Sequence, residues 1–299
     1  MAPQFSLRGL FSHAAEFLSQ VPISPSSGPT SLTPYKPLTS APSCPIDGPT
    51  SCLSAPEDGA SCCFVAPSGR MLLTQFWDQQ VHAGGSERDW TVHGLWPDLC
   101  DGSYKAFCGM TPHFNNITEI LVDQGHEDLV KQMNRYWVAA YGSNDHLWAH
   151  EYNKHASCIN TLAPSCYASA YAPGAEVADY FTRAFGLFRT LNTYAVLAEA
   201  DIVPSRVHKY PIKAIEGALE KHTGGKVVLR CSGRGGSVLH EAWLCFFVRG
   251  SLQTSDFVPA ETYGSTGCEE LREEVWYLPK VCRLPGAALE MASSDANPG

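Results

Sequence analysis

Twelve cysteines, spread from Cys44 to Cys282, constrain this 299-residue chain more than any other feature. The number is even, and no two are spaced C-x-x-C; the nearest pair is the adjacent Cys62-Cys63. A zinc ribbon or a thioredoxin-type redox loop therefore has no support. Up to six disulfides in an oxidising compartment fit better, because so many free thiols would be a liability outside the cell. With 21 Pro, 25 Gly and only 17% charged residues, the chain reads as loop-rich and secreted. Its length allows a sizeable buried core, and 44% hydrophobic residues exclude a disordered protein.

Three zones follow from composition. Residues 1–43 are rich in Ser, Pro and Thr and read as a disordered leader. As a secretory signal that leader is atypical, since His13 and Glu16 interrupt its apolar run. Residues 44–283 form one domain, and 284–299 a flexible tail. Within the domain, "RMLLTQFW" and "DWTVHGLW" read as strands, the second ended by Pro97. "KVVLRC" and "EAWLCFFVRG" read as central strands. "EDLVKQMNRYWVAAY" has helical spacing, and "AEVADYFTRAFGLFRTLNTY" reads as a single longer helix. "PIKAIEGALEKHTG" starts at Pro211 and stops at Gly224, as helices do. Strands and helices interleave irregularly, which predicts an α+β domain. No stretch approaches the roughly 20 apolar residues of a membrane span.

"HEYNKHASC", His150 to Cys158, concentrates titratable groups. Zinc binding of the H-E-x-x-H kind needs histidines four apart. Here they are five apart, about 140° around a helix, and no metal site is expected. On a helix, His150 with Lys154 and Glu151 with His155 are i,i+4 pairs forming one stripe. A solvated helix edge also carries such charges. Trp148 and Tyr152, with Cys158 at the end, set this stripe apart from one. A neighbouring cation lowers an imidazole pKa and a carboxylate raises it, which is the tuning a proton-transfer residue needs.

A second stretch, "WTVHGLWPD", holds His93. Strict strand alternation points Thr91, His93 and Leu95 one way, and Trp90, Val92, Gly94 and Trp96 the other. Gly94 permits a close approach beside the histidine. Trp96, Asp98 and Tyr104 follow, an aromatic pair plus an acceptor, which suits a stacked heterocycle. A satisfied core histidine among aromatics is the plainer alternative.

Together, the two stretches resemble the active-site segments of the ribonuclease T2 family, written T-[VIL]-H-G-L-W-P and H-E-W-x-K-H-G-[ST]-C. The first matches throughout; the second departs at Tyr152 and Ala156. The resemblance extends from Cys44 to about Lys280 and is closest to fungal members. It implies a disulfide-rich α+β fold with a central, mainly antiparallel sheet flanked by several helices. It also implies the bridges Cys44–Cys63, Cys52–Cys100, Cys62–Cys166, Cys108–Cys158 and Cys231–Cys268, with Cys245 and Cys282 left as an additional pair.

By the same resemblance the chain is an endoribonuclease that cleaves single-stranded RNA with low base specificity. Transphosphorylation through a 2′,3′-cyclic phosphate yields 3′-phosphate products without metal or other cofactor. His155 would act as base and His93 as acid in the first step, although the residues alone leave open which is which. His150 would bind phosphate, and Glu151 and Lys154 would stabilise the pentavalent phosphorus. Trp96, Asp98 and Tyr104 match the primary base pocket. Gln75 matches a second subsite, where Leu147 replaces an aromatic. A secreted binding factor or toxin with a dispensable nuclease site is the alternative; the intact set His93, His150, Glu151, Lys154 and His155 favours the enzyme.

The net charge is −9 with histidine neutral, which argues against broad electrostatic RNA binding at neutral pH. Eleven histidines would relieve that charge in acid. An acidic optimum is therefore expected, in a secreted or vacuolar monomer. Asn116-Ile117-Thr118 is an N-glycosylation sequon, in keeping with secretion.

Overall fold

Arg70–Phe76 (β1) is buried at each of its first six positions, so both of its faces are covered, and the sheet is assembled around it. In the computed structural model the described residues run from Cys44 to Cys282, except 46–47, 54–61, 82–84, 255, 262–267 and 269–272. The leader and tail expected from composition lie outside them. β1 pairs with Thr91–Asp98 (β2) on one side and with Val238–Val248 (β4) on the other, both antiparallel. Val227–Ser232 (β3) and Phe257–Pro259 (β5) line the far side of β4, also antiparallel. The order β2-β1-β4-β3, with β5 beside β4, leaves β2 at an edge. Pro97 is accommodated there, inside β2 rather than after it, because an edge strand tolerates a missing N–H.

One face of the sheet is covered by helices. Ile117–Asp123 (α1), Glu127–Tyr136 (α2) and Asn144–Lys154 (α3) precede Ala175–Arg189 (α4). The helix predicted to run on through "TLNTY" instead breaks at Leu191–Asn192, and Thr193–Glu199 (α5) follows. The Asn192 side chain accepts from the N–H of Ala195 and caps the new helix. Ile212–Thr223 (α6) ends at Gly224, whose positive φ of 75° closes it as the sequence predicts. The core between helices and sheet contains Met71, Leu73, Val92, Leu95, Phe181, Phe185 and Leu244. Each such side chain contributes about 1.5–3 kcal/mol by leaving water. Leu72, Cys245, Phe247, Trp96 and Trp243 pack together as a separate, smaller cluster.

Among the described residues five disulfides join Cys44 to Cys63, Cys52 to Cys100, Cys62 to Cys166, Cys108 to Cys158 and Cys231 to Cys268. These are the five pairs the resemblance implies. The additional pair, Cys245 with Cys282, falls outside the described residues. Cys245 is buried in β4, whereas Cys282 stands on a two-residue strand paired with Gln80–Val81 in a different sheet. The Cys282 side chain lies outside the described residues. Among the described residues no helix is long and apolar enough to cross a membrane.

Candidate active site

The site is built around a β-bulge. Thr74 of β1 opposes Gly94, and Gln75 opposes Val92, so His93 is the extra residue of β2. A bulge re-aims the side chains beyond it. Strict alternation puts His93 and Trp96 on opposite faces; the bulge brings them together, their rings 4.8 Å apart and edge to face. The bulge is held by side chains. The Thr74 hydroxyl accepts from the Gly94 N–H and donates to the Gly94 carbonyl, each at 3.0 Å. The Trp137 indole N–H donates to the His93 carbonyl at 2.9 Å.

The end of α3 lies against this edge. The Glu151 carboxylate accepts from the Trp96 indole at 2.7 Å. It stands 3.7 Å from His93 Nε2 and 3.9 Å from His155 Nε2. Gly94 makes the convergence possible, since a β-carbon there would overlap both the carboxylate and the indole. His155 caps the helix, one residue past its last turn. The Trp96 indole lies nearly parallel to the His155 ring, 4.9 Å away.

Burial sets the protonation of this group. Glu151 is 1% exposed, and burial, opposed by the charge of His93 and the Trp96 hydrogen bond, pushes its carboxyl up to about 7. His155 is 6% exposed. Burial, with Lys154 and the neighbouring histidines adding to it, pushes the ring down to about 3. Its Nε2 is buried and makes no hydrogen bond. His150 is exposed yet also lowered, by partial burial and then by Lys154.

A loop is fastened to the end of α3. The Phe107 N–H donates to the Lys154 carbonyl, and the Cys108 N–H donates to the Ser157 hydroxyl. The Cys108–Cys158 bridge closes the same joint. The two departures from the family motif, Tyr152 and Ala156, pack into the core. Tyr152 packs against Phe114, Tyr180 and Phe181, and Ala156 is buried in the same core.

The profile of the ribonuclease T2 family matches residues 68–256. The chain belongs to the ribonuclease T2 family. It is 42% identical to ribonuclease T2 of Aspergillus oryzae, covering 85% of this chain and 90% of that protein. With ribonuclease Trv of Hypocrea rufa it shares 41% identity over 80% of this chain and 98% of that one. The crystal structure of Actibind, described as a T2 ribonuclease and an antitumorigenic agent, superposes with a TM-score of 0.73 at 38% identity. It covers 80% of this chain and 99% of its own. Like its T2 ribonuclease relatives, the chain is an endoribonuclease with an α+β fold.

Seen as a T2 ribonuclease, the structure brings together His93, Glu151 and His155, with His150 and Lys154 on the same turn of α3 and beyond. Asp98 and Tyr104 form a backbone bridge just past Trp96. Tyr104 is 70% exposed, and burial raises the Asp98 carboxyl to about 7 against the pull of Arg70. Gln75 is fully buried and accepts a hydrogen bond from Thr193 of α5. Its strand parity, shared with Leu73, turns it toward the helices. Trp96 also does more than expected, because its indole already serves Glu151 and covers His155.

Sequence reasoning missed Phe76, Trp137, Glu241 and Trp243. Phe76 stacks on the His93 ring at 4.0 Å. Glu241 faces His93 Nδ1 at 3.2 Å. A single carboxylate inside the apolar run "EAWLCFFV" is the signal that points to it. Among the described residues no group of three or more His, Cys, Asp or Glu is placed to hold a metal ion.

Proposed function

We propose that His155 is the general base and His93 the general acid of metal-independent transphosphorylation. The observation carrying this assignment is the contrast between the two rings. His155 is buried and neutral, with an unused nitrogen. His93 is half-buried and faces a carboxylate from each ring nitrogen. A base needs a free lone pair, and an acid needs a proton to give. His155 takes the proton of the ribose 2′-OH as that oxygen attacks phosphorus. His93 protonates the departing 5′-oxygen, leaving a 2′,3′-cyclic phosphate. Water then opens the ring with the roles reversed, giving the 3′-phosphate. Lys154 supplies charge to the phosphorane, and His150 binds phosphate. Glu151, protonated below about 7, donates a hydrogen bond to a phosphoryl oxygen as a neutral acid.

Since Trp96 lies over His155, substrate binding shifts the indole onto the incoming base and uncovers the catalyst. Trp96 and Tyr104 stack that base while Asp98 reads its edge, so selectivity is low. Secretion or vacuolar delivery fits the disulfides and the exposed sequon at Asn116, and the active unit is a monomer of residues 44–283.

The test is RNA cleavage in EDTA by wild type, His93→Phe and His155→Phe. Cleavage by wild type is expected to survive chelation and to fall by about 100-fold or more in each variant. Near-normal activity in either variant overturns the assignment. The pH dependence has a definite sign. His155 must be neutral, and its proton leaves near pH 3 rather than 6.5. The ascending limb of kcat/KM therefore belongs well below pH 6, and one centred near 6.5 excludes His155 as the base.

A further inference from the structure

The outer face of β4 carries a carboxylate that the mechanism above does not use. Glu241 is 8% exposed, and a buried charge in a sheet is costly unless both oxygens are satisfied. Both are. Oε1 faces His93 Nδ1 at 3.2 Å, and Oε2 accepts from the Trp243 indole two residues on, at 2.7 Å. Among the described residues its one ion pair is with His93. Phe76, directly across the ladder from Glu241, stacks on His93 at 4.0 Å. The imidazole is thus fixed in its plane by Phe76 and about its ring axis by Glu241. Glu151 lies on the opposite nitrogen.

We propose that Glu241 is a positioning residue for the catalytic acid. It accepts a hydrogen bond from Nδ1–H of His93, holds the neutral ring in the Nδ1–H tautomer, and so leaves Nε2 to carry the proton delivered to the 5′-oxygen. Trp243 in turn holds Glu241. The argument rests on His93 being an acid–base group, as proposed above. It follows the general rule that a histidine's outer partner selects which nitrogen does the chemistry. Electrostatics agree: burial would raise Glu241, yet the hydrogen bonds from His93 and Trp243 and the charge on His93 bring its carboxyl below the usual range. The charged or titratable groups around His93 are Glu151, His150 and His155 from α3 and its cap, and Glu241 with His240 from β4. Arg230 of β3 stands across from Glu241 and over the Trp243 ring.

Glu241→Gln keeps the shape and removes the charge. With a dinucleoside monophosphate substrate, kcat is expected to fall by about tenfold or more while KM stays nearly constant. Losing an anion beside the imidazolium also releases its proton more easily, so the alkaline limb of kcat/KM moves to lower pH by about one unit. Glu241→Asp, which keeps the charge, should restore the position of the limb. A merely structural residue moves neither the limb nor kcat alone. Unchanged kcat and limb in a folded Glu241→Gln overturns the proposal. Should that variant not fold, ¹⁵N spectra of the wild-type histidines decide the matter: a neutral His93 in the Nδ1–H tautomer supports it, and the Nε2–H tautomer overturns it. Normal activity in His93→Phe would instead defeat the acid–base assignment itself. An inactive His93→Phe beside an unaffected Glu241→Gln defeats only the role of Glu241.

Discussion

Glu151 shows what a buried carboxylate costs the fold. Its carboxyl is raised to about 7, against about 4.3 for an unperturbed Glu. A raised acid binds its proton more tightly in the folded than in the unfolded chain, so stability is full below the unfolded value and is lost as pH rises through 7. The loss is on the order of 3 kcal/mol. Glu151→Gln does not titrate, and it keeps an acceptor for the Trp96 indole. The variant should therefore match wild type in Tm near pH 4.5 and exceed it at pH 8, while losing activity. Thermal melts at the two pH values check this, and a Tm gap independent of pH refutes it. The titratable residues themselves were legible in the sequence, because their types, their i,i+4 spacing and the two family-like motifs already single them out. The partners were not. Trp96 was read as a base platform, yet its indole bonds Glu151, a contact between residues 55 positions apart in the chain. Glu241 reaches His93 across 148 positions, and no local pattern encodes such a pairing.

Elements, by contrast, were largely legible where a period persisted. β1, β2 and α6 occupy the predicted stretches, and α2 and α4 the first part of theirs, ending at Tyr136 and Arg189. The failures are places where a period is interrupted by a single residue. Asn192 splits one predicted helix into two by capping the second. The extra residue His93 shifts the alternation of β2 by one position, which the sequence pattern alone cannot reveal. The joint between the Phe107 loop and α3 is a second local device. Replacing Cys108 and Cys158 together by Ser opens a loop of 50 residues. That should cost about 2–4 kcal/mol and loosen His155, which lies between Lys154 and the bridge. Urea midpoints and kcat measured on the same preparation test this. An unchanged midpoint shows that the hydrogen bonds at Phe107 and Cys108 suffice alone.

At the scale of the whole molecule, the proposed acid–base groups and the carboxylate that faces one of them come from three remote segments, β2, the end of α3, and β4. The sheet brings β2 and β4 within reach of each other on either side of β1, and α3 closes over the free edge. Between α2 and α3 lies Tyr141, 94% exposed, followed by Gly142 at a positive φ of 78°. Chymotrypsin should cut there first. Two of the disulfides, Cys62–Cys166 and Cys108–Cys158, span that point. A single nick would therefore turn the protein into a two-chain enzyme, with β1 and β2 on one chain and α3 and β4 on the other. It should migrate as one band until reduced, and cleave RNA until reduced. Activity lost at the nick itself, with both bridges intact, would show that chain continuity rather than the sulfur framework holds the site in register. If the bridges do hold it, survival in a protease-rich medium depends on the redox state of the surroundings more than on the integrity of the backbone.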